Sequence, residues 1–375
     1  MKANILAKML KAAAHGVDKK PTTEACGAVY LAVEDSDEGG KLLTAVGCNG
    51  EKSVEVSCVV GSDSPRVNWL AFKPAPAIAS LNKFKGVEVE LSQGDDGKLL
   101  LSVEGKVKAS FKTLDEKQYD AQPVLLPGEH QIAIGTHHNL KDSLNRVSYA
   151  ISNDNYRSQL NQVLVEARKG SIKMVTTDGH RLMVLESGDD WDFDLGKKST
   201  YTSPMYMPLG MVSILTKVLT KKRMPVRLSA SPEVAMAEFE IDNVWHTVLG
   251  KTDNGEFPTY DEVIPERNDE ATMIRADVES LLDGLKMLKV IGCQMAVISA
   301  NGGVSLGGEN EHIEASVSTE IIADYHTLTL LPDSPLGPYR LIVGLYDPLT
   351  GQRLPLIAAD GAPFADAILV TELSK

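Results

Sequence analysis

Within TTDGHRLMVLES, residues 176–187, a carboxylate, an imidazole and a guanidinium fall within four positions: Asp178, His180 and Arg181, with Gly179 between them. Those groups could exchange protons, ligate a metal or grip an anion, and each chemistry needs partners. A hydrolase needs a nucleophile held against a base, and a metal site needs further ligands at fixed spacing. The eight histidines, among them His137, His138, His246, His312 and His326, show no HxH or HExxH spacing, and GxSxG and GxxxxGK[ST] are both missing. An enzyme built on Asp178 and His180 is therefore the weakest of three readings, and no catalytic residue, metal ligand or cofactor is expected. Ile172, Met174 and Thr176 alternate before the motif, and Leu182 and Val184 after it. Asp-Gly between two alternating runs predicts a β-hairpin with a type I′ turn at Asp178-Gly179, which would put His180 and Arg181 at the start of the return strand.

The elements that would position this stretch recur along the chain. At 375 residues the chain exceeds one ordinary core, which predicts two or three domains. Three segments carry leucines and basic residues at helical spacing: ILAKMLKAAAHGV from Ile5, NLKDSLNRVSYAIS from Asn139 and DVESLLDGLKMLKVIG from Asp277. Between them lie runs that read as strand, turn, strand, turn, strand, at 87–112, 226–251 and 295–320, with Gly, Asn or Asp at the turns. The first two blocks add a second helix candidate, AFKPAPAIASLNKFKG (71–86) and PLGMVSILTKVLTKKR (208–223). Both run out through an aromatic and a proline, in FKTLDEKQYDAQP and KTDNGEFPTYDEVIP. The expected class is α+β, in three units at about 1–127, 128–266 and 267–375.

Bulk properties narrow the partners. No apolar run reaches the length of a membrane span, and the N-terminus MKANILAKMLKAAAHG reads as a helix rather than a signal peptide, so a cytoplasmic protein with no membrane partner is expected. Cys26, Cys48, Cys58 and Cys293 form no CxxC pair and suit buried free thiols in a reducing compartment. The net charge of −13 argues against uniform coating of nucleic acid, but it allows basic residues gathered on one surface.

TTDGHRL, preceded by YRSQLNQVLVEARKGSIKMV, resembles the middle domain of the bacterial sliding clamp, the beta subunit of DNA polymerase III. NGEFPTYDEVIP resembles the end of that domain, and KKPTTE and FKTLDEKQYD look like parts of the first domain, so that the resemblance covers about residues 1–320. It implies three repeated domains with antiparallel sheets outside and helices lining a central bore, assembled as a head-to-tail homodimeric ring around double-stranded DNA. It also implies no catalysis and no cofactor: the clamp tethers the polymerase, and polymerase and clamp-loader subunits bind it through short peptides.

The same resemblance implies residue roles. Leu160, Thr177, Gly179, His180, Arg181, Leu182, Pro258 and Val263 match the clamp's peptide pocket, with Leu160, Leu182 and Val263 as an apolar floor and Arg181 on the rim. Glu262 stands where the family often has a basic residue. The bore candidates are Lys20, Lys73, Lys83, Lys85, Lys141, Lys217, Lys221, Lys222 and Arg223, with Lys8 and Lys11 on the first helix. The tail departs from the family. Pro332, Pro335, Gly337 and Pro338 oppose a helix where a clamp has one. The wording YRLIVGLYDPLTGQRLP within 325–375 resembles the β-rich C-terminal module of bacterial membrane glycosyltransferases, and only Ile368 to Thr371 could stand in for the second half of the pocket. A clamp-like module that binds peptides without closing a ring therefore stands as the alternative.

Overall fold

The computed structural model describes residues 1–36, 39–114, 125–127, 132–154, 156–168, 171–187, 191–192, 204–253, 255–264, 278–290, 297–300, 304–309, 314–319, 341–342, 356–357 and 363–364. The chain forms two compact units, Met1–Asp178 with Leu182–Pro258, and Gly179–Arg181 with Thr259–Lys375.

The larger unit contains the same plan twice. Its first half runs α1 (Ala3–Ala13), β1 (Val29–Asp35), β2 (Lys41–Cys48), β3 (Lys52–Val60), β4 (Val67–Phe72), α2 (Pro74–Leu81), β5 (Glu90–Gln93), β6 (Leu99–Val103) and β7 (Lys106–Phe111). The second half runs β8 (Ile132–His137), α3 (Leu140–Val147), β9 (Gln162–Arg168), β10 (Ser171–Thr177), β11 (Leu182–Ser187), β12 (Trp191–Asp192), β13 (Met205–Pro208), α4 (Leu209–Val218), β14 (Val226–Ala230), β15 (Val234–Ile241) and β16 (Val244–Lys251). The helices follow from their patterns. Leu6, Met9, Leu10 and Ala13 recur at helical spacing and are buried, while Lys8 and Lys11 stay outside. In α2, Pro74 opens the first turn, where its missing N–H costs nothing.

The two halves are not separate bodies. A nine-stranded sheet runs β12-β8-β14-β15-β16-β3-β2-β1-β4, and the seam is an antiparallel ladder between β16 and β3, from Trp245 opposite Ser57 to Gly250 opposite Lys52. Each half keeps a smaller sheet of its own, β5-β6-β7 in the first and β11-β10-β9-β13 in the second. Register decides which face the helices cover. Val248 stands opposite Val54 and His246 opposite Val56, so all four point to one side. On that side the Sγ of Cys58 lies 3.5 Å from the Sδ of Met9 in α1, and a Cβ on Gly250 would meet Met211 of α4 at 2.8 Å. Both α1 and α4 therefore pack on the same face of the shared sheet.

The smaller unit carries α5 (Val278–Val290), then β17 (Val297–Ala300), β18 (Val304–Glu309), β19 (Glu314–Thr319), β20 (Leu341–Ile342), β21 (Leu356–Ile357) and β22 (Pro363–Phe364). Its sheet order is β19-β18-β17-β20. Both the helix and the three strands fall where the sequence places them. The tail is β-type where it is described, in the short strands β20 to β22, while Pro332 to Pro338 and Ile368 to Thr371 lie outside the described residues. Among the described residues no helix is long and apolar enough to cross a membrane. Cys48 and Cys58 are buried free thiols as expected, Cys26 is free and half-buried, and Cys293 lies outside the described residues.

Helix and sheet approach each other closely at Gly47. A Cβ there would sit 2.0 Å from the carbonyl oxygen of Ala13, at the end of α1, so any side chain must push helix from sheet. Gly47→Ala should destabilise the protein by about 2–4 kcal/mol, read as a lowered urea midpoint. A wild-type midpoint would show that the helix end yields without cost.

Candidate nucleic-acid interface and partner loop

The shared helix face gathers cations from both halves. A groove of about 590 Å³ runs between α1 and the end of α4, and Lys8, Lys11, Lys217, Lys221 and Lys222 line it. Lys217 reaches the Oγ of Ser213 one turn back, at 2.9 Å. The Nζ of Lys8 bonds the Oδ2 of Asp242 at 2.8 Å, across the joint between the halves. Both partners are well exposed, so this bond adds little stability, yet it holds the Asp242 carboxyl below its ordinary range. Asp242 and Asn243 have φ of +55° and +61°, as a two-residue type I′ turn requires, with Ile241 paired to Val244 around them.

The opposite face of the sheet carries glutamates beside the seam. On β16 the outward positions alternate with the buried ones, and Trp245 and Thr247 point away from the helices. Their cross-strand partners are Glu240 and Glu238 on β15, and Thr247 also faces Glu55 on β3. Strand alternation thus turns Glu55, Glu238 and Glu240 away from the helix lysines, with Arg227 opposite Glu238 on the same outer face.

The expected DNA-facing cations divide into three groups. Lys217, Lys221 and Lys222 line the groove, and the exposed Arg223 follows them in sequence. Lys73, Lys83 and Lys85 are exposed at the ends of α2, and Lys20 is exposed in the turn after α1, none of them lining the groove. Lys141 differs in kind. It is half-buried and donates to the carbonyl oxygen of Leu219 at 2.5 Å, capping α4, which ties its charge to the fold. The sequence reading missed His15 as a member of this site. His15 lines the groove, and its pKa is lowered first by burial and then by the positive charges of Lys217, Lys11, Lys52 and Lys19. No local motif marks it, because those lysines come from several separate elements.

The TDGHRL stretch is a hairpin, but not of the predicted kind. Thr177 pairs with Leu182, so Asp178, Gly179, His180 and Arg181 form a four-residue connection, and the return strand begins at Leu182. Of these four, only Gly179 has a left-handed φ, +88°, whereas a type I′ turn needs two such residues. The longer loop leaves Gly179, His180 and Arg181 exposed beyond the strand ends. Thr177 is buried and Leu182 half-buried at the two strand ends. Leu160 closes a single 3-10 turn, Ser158–Leu160, and is only 4% exposed, which limits the floor it can offer. Pro258 is exposed, and Val263, in the 3-10 turn Asp261–Val263, is 54% exposed. Among the described residues no group of three or more His, Cys, Asp or Glu could hold a metal ion.

Comparison with known proteins converges on one class. Residues 136–259 match the family model for the DNA polymerase III beta subunit, central domain. The beta sliding clamp of Pseudomonas putida is 23% identical over 338 residues, covering 87% of this chain and 84% of that relative. The beta sliding clamp of Treponema pallidum is 25% identical over 205 residues, about half of each chain (54% and 51%). Among solved structures, the Helicobacter pylori beta clamp bound to a DNA ligase peptide superimposes with a TM-score of 0.69 at 14% identity, covering 92% of this chain and 87% of that one. The fold is therefore that of the sliding clamps. Within that fold, residues 136–259 are the stretch that resembles the central domain of the DNA polymerase III beta subunit.

Two histidines lining the groove make a prediction about pH. The His246 ring stacks on Phe239 at 4.9 Å between centroids, and burial lowers its pKa below the ordinary 6.5, as burial and lysines do for His15. Groups with depressed folded-state pKa values bind fewer protons than the unfolded chain. Their stabilisation is present above the unfolded value and is lost as the pH falls towards and through the folded one. Urea stability should thus drop between about pH 7 and about pH 5, and His246→Phe should shrink the drop. An unchanged drop in that variant would remove His246 from the effect.

Proposed function

We propose that this chain is a DNA sliding clamp: a non-catalytic processivity factor that encircles duplex DNA as a homodimeric ring and tethers a DNA polymerase to it. The observation that carries this reading is the cluster of lysines that both helices bring to one face of the β3–β16 seam. Helices from two successive halves hold Lys8, Lys11, Lys217, Lys221 and Lys222 on one face, while Glu55, Glu238 and Glu240 occupy the other. A basic helix face touches phosphates without reading bases, which suits sliding.

Three domains at 1–127, 128–266 and 267–375 are supported by the repeated order of helices and strands. The tail, 325–375, keeps its reading as a β-rich module of glycosyltransferase type on the wording YRLIVGLYDPLTGQRLP, with β20 to β22 in agreement. Leu160, Thr177, Gly179, His180, Arg181, Leu182, Pro258 and Val263 are assigned to the capture of short peptides from polymerase, clamp-loader and repair partners. The exposure of Gly179, His180 and Arg181 supports this assignment, as does the peptide-bound clamp among the solved relatives. The protein works in the cytoplasm.

On nicked circular DNA the protein should be retained, and linearisation should release it. Retention that survives linearisation, or no retention at all, would favour a peptide-binding module that closes no ring. Reversing Lys217, Lys221 and Lys222 to Glu should weaken DNA binding for every sequence and reduce the salt slope by about one for each phosphate no longer neutralised; an unchanged slope removes them from the DNA path. Separately, His180→Ala with Arg181→Ala should weaken a fluorescent partner peptide by about tenfold or more. Undiminished peptide binding would move the pocket elsewhere.

A further inference from the structure

The groove at the α1–α4 joint has a feature that duplex binding does not call for. A wall that meets phosphates needs only cation tips. Here the cations rim a hollow whose floor is apolar, formed by Ile5, Met9, Val218 and Val244. At about 590 Å³ the hollow lies in the size range of small-molecule pockets. Its rim is almost wholly of one sign. Among the described residues Asp242 is the single carboxylate lining it, and that carboxylate is bonded to Lys8. Lys11 and Lys221 have no carboxylate within ion-pair distance among the described residues. Burial is the main cause of the lowered pKa of His15, and the charges of Lys217 and Lys11 in the groove add to it.

We propose that this groove is a binding site for an amphipathic organic anion, with an apolar body seated between α1 and α4 and an acidic group held by Lys11, Lys217 and Lys221. Charge complementarity selects the anion. The apolar floor selects a ligand with an aromatic or acyl body over inorganic phosphate or a bare phosphodiester backbone. Because the two sides of the groove come from the two halves of the shared sheet, such a ligand would bridge them and stiffen the joint.

The probe is anilinonaphthalene sulfonate, followed by its fluorescence on the full chain, with neutral phenylnaphthylamine as the uncharged control. Saturable binding at one site per chain is expected, with the neutral analogue at least about tenfold weaker. Lys217→Ala with Lys221→Ala should weaken the probe about five- to tenfold, in line with two partly exposed charge pairings. Thr220→Trp, which fills the groove from its rim, should weaken it at an unchanged unfolding midpoint. The proposal is overturned if the neutral analogue binds equally, if the double variant binds the probe as wild type does, or if no saturable binding occurs. It is equally overturned if a short duplex depends on these lysines while the probe does not bind, because the groove is then only a stretch of nucleic-acid wall. If Thr220→Trp fails to fold, the double variant still decides the matter.

Discussion

The ladder between β3 and β16 is the constraint on which the rest of the larger unit depends. It removes an open edge from each half and makes one nine-stranded sheet from two. It also fixes register, and register in a sheet decides sides. A one-residue slip would carry His246 and Val248 to the outer face and bring Trp245 and Thr247 under the helices. The basic groove exists because both helices sit over the same face of that ladder.

Charge follows from the same alternation. A chain with net charge −13 carries a basic surface because the lysines sit on helices while the glutamates of β3 and β15 point to the far side. Not every helix lysine serves that surface alike. Lys141 ties its ammonium to the Leu219 carbonyl, whereas Lys217 projects from the same helix end into the groove. Position along a helix does not distinguish those roles, but the identity of the nearest carbonyl does.

Two turns show how similar sequence signals part company. Asp178-Gly179 has the composition of a tight hairpin, yet the strands are registered so that four residues connect them. Asp242-Asn243 does form the two-residue turn with two positive φ angles. Residue preference allows the conformation, and cross-strand pairing selects the loop length. The consequences differ: the first loop presents His180 and Arg181 to solvent, and the second brings Asp242 to Lys8, a residue 234 positions away.

The sequence by itself determined the elements. The period of Leu6, Met9, Leu10 and Ala13 is a helix in any context, and the alternating runs of 226–251 are strands because their residues suit a half-buried pleat. It also carried, in TTDGHRL and its flanks, the clamp resemblance that composition alone would not. What only the tertiary structure decided was adjacency: the fusion of the two halves into one sheet, the membership of His15 and Asp242 in the basic groove, and the half-buried state of Lys141. Local propensity acts within a few residues, whereas these outcomes rest on pairings between segments far apart along the chain that only packing brings to within a few ångströms.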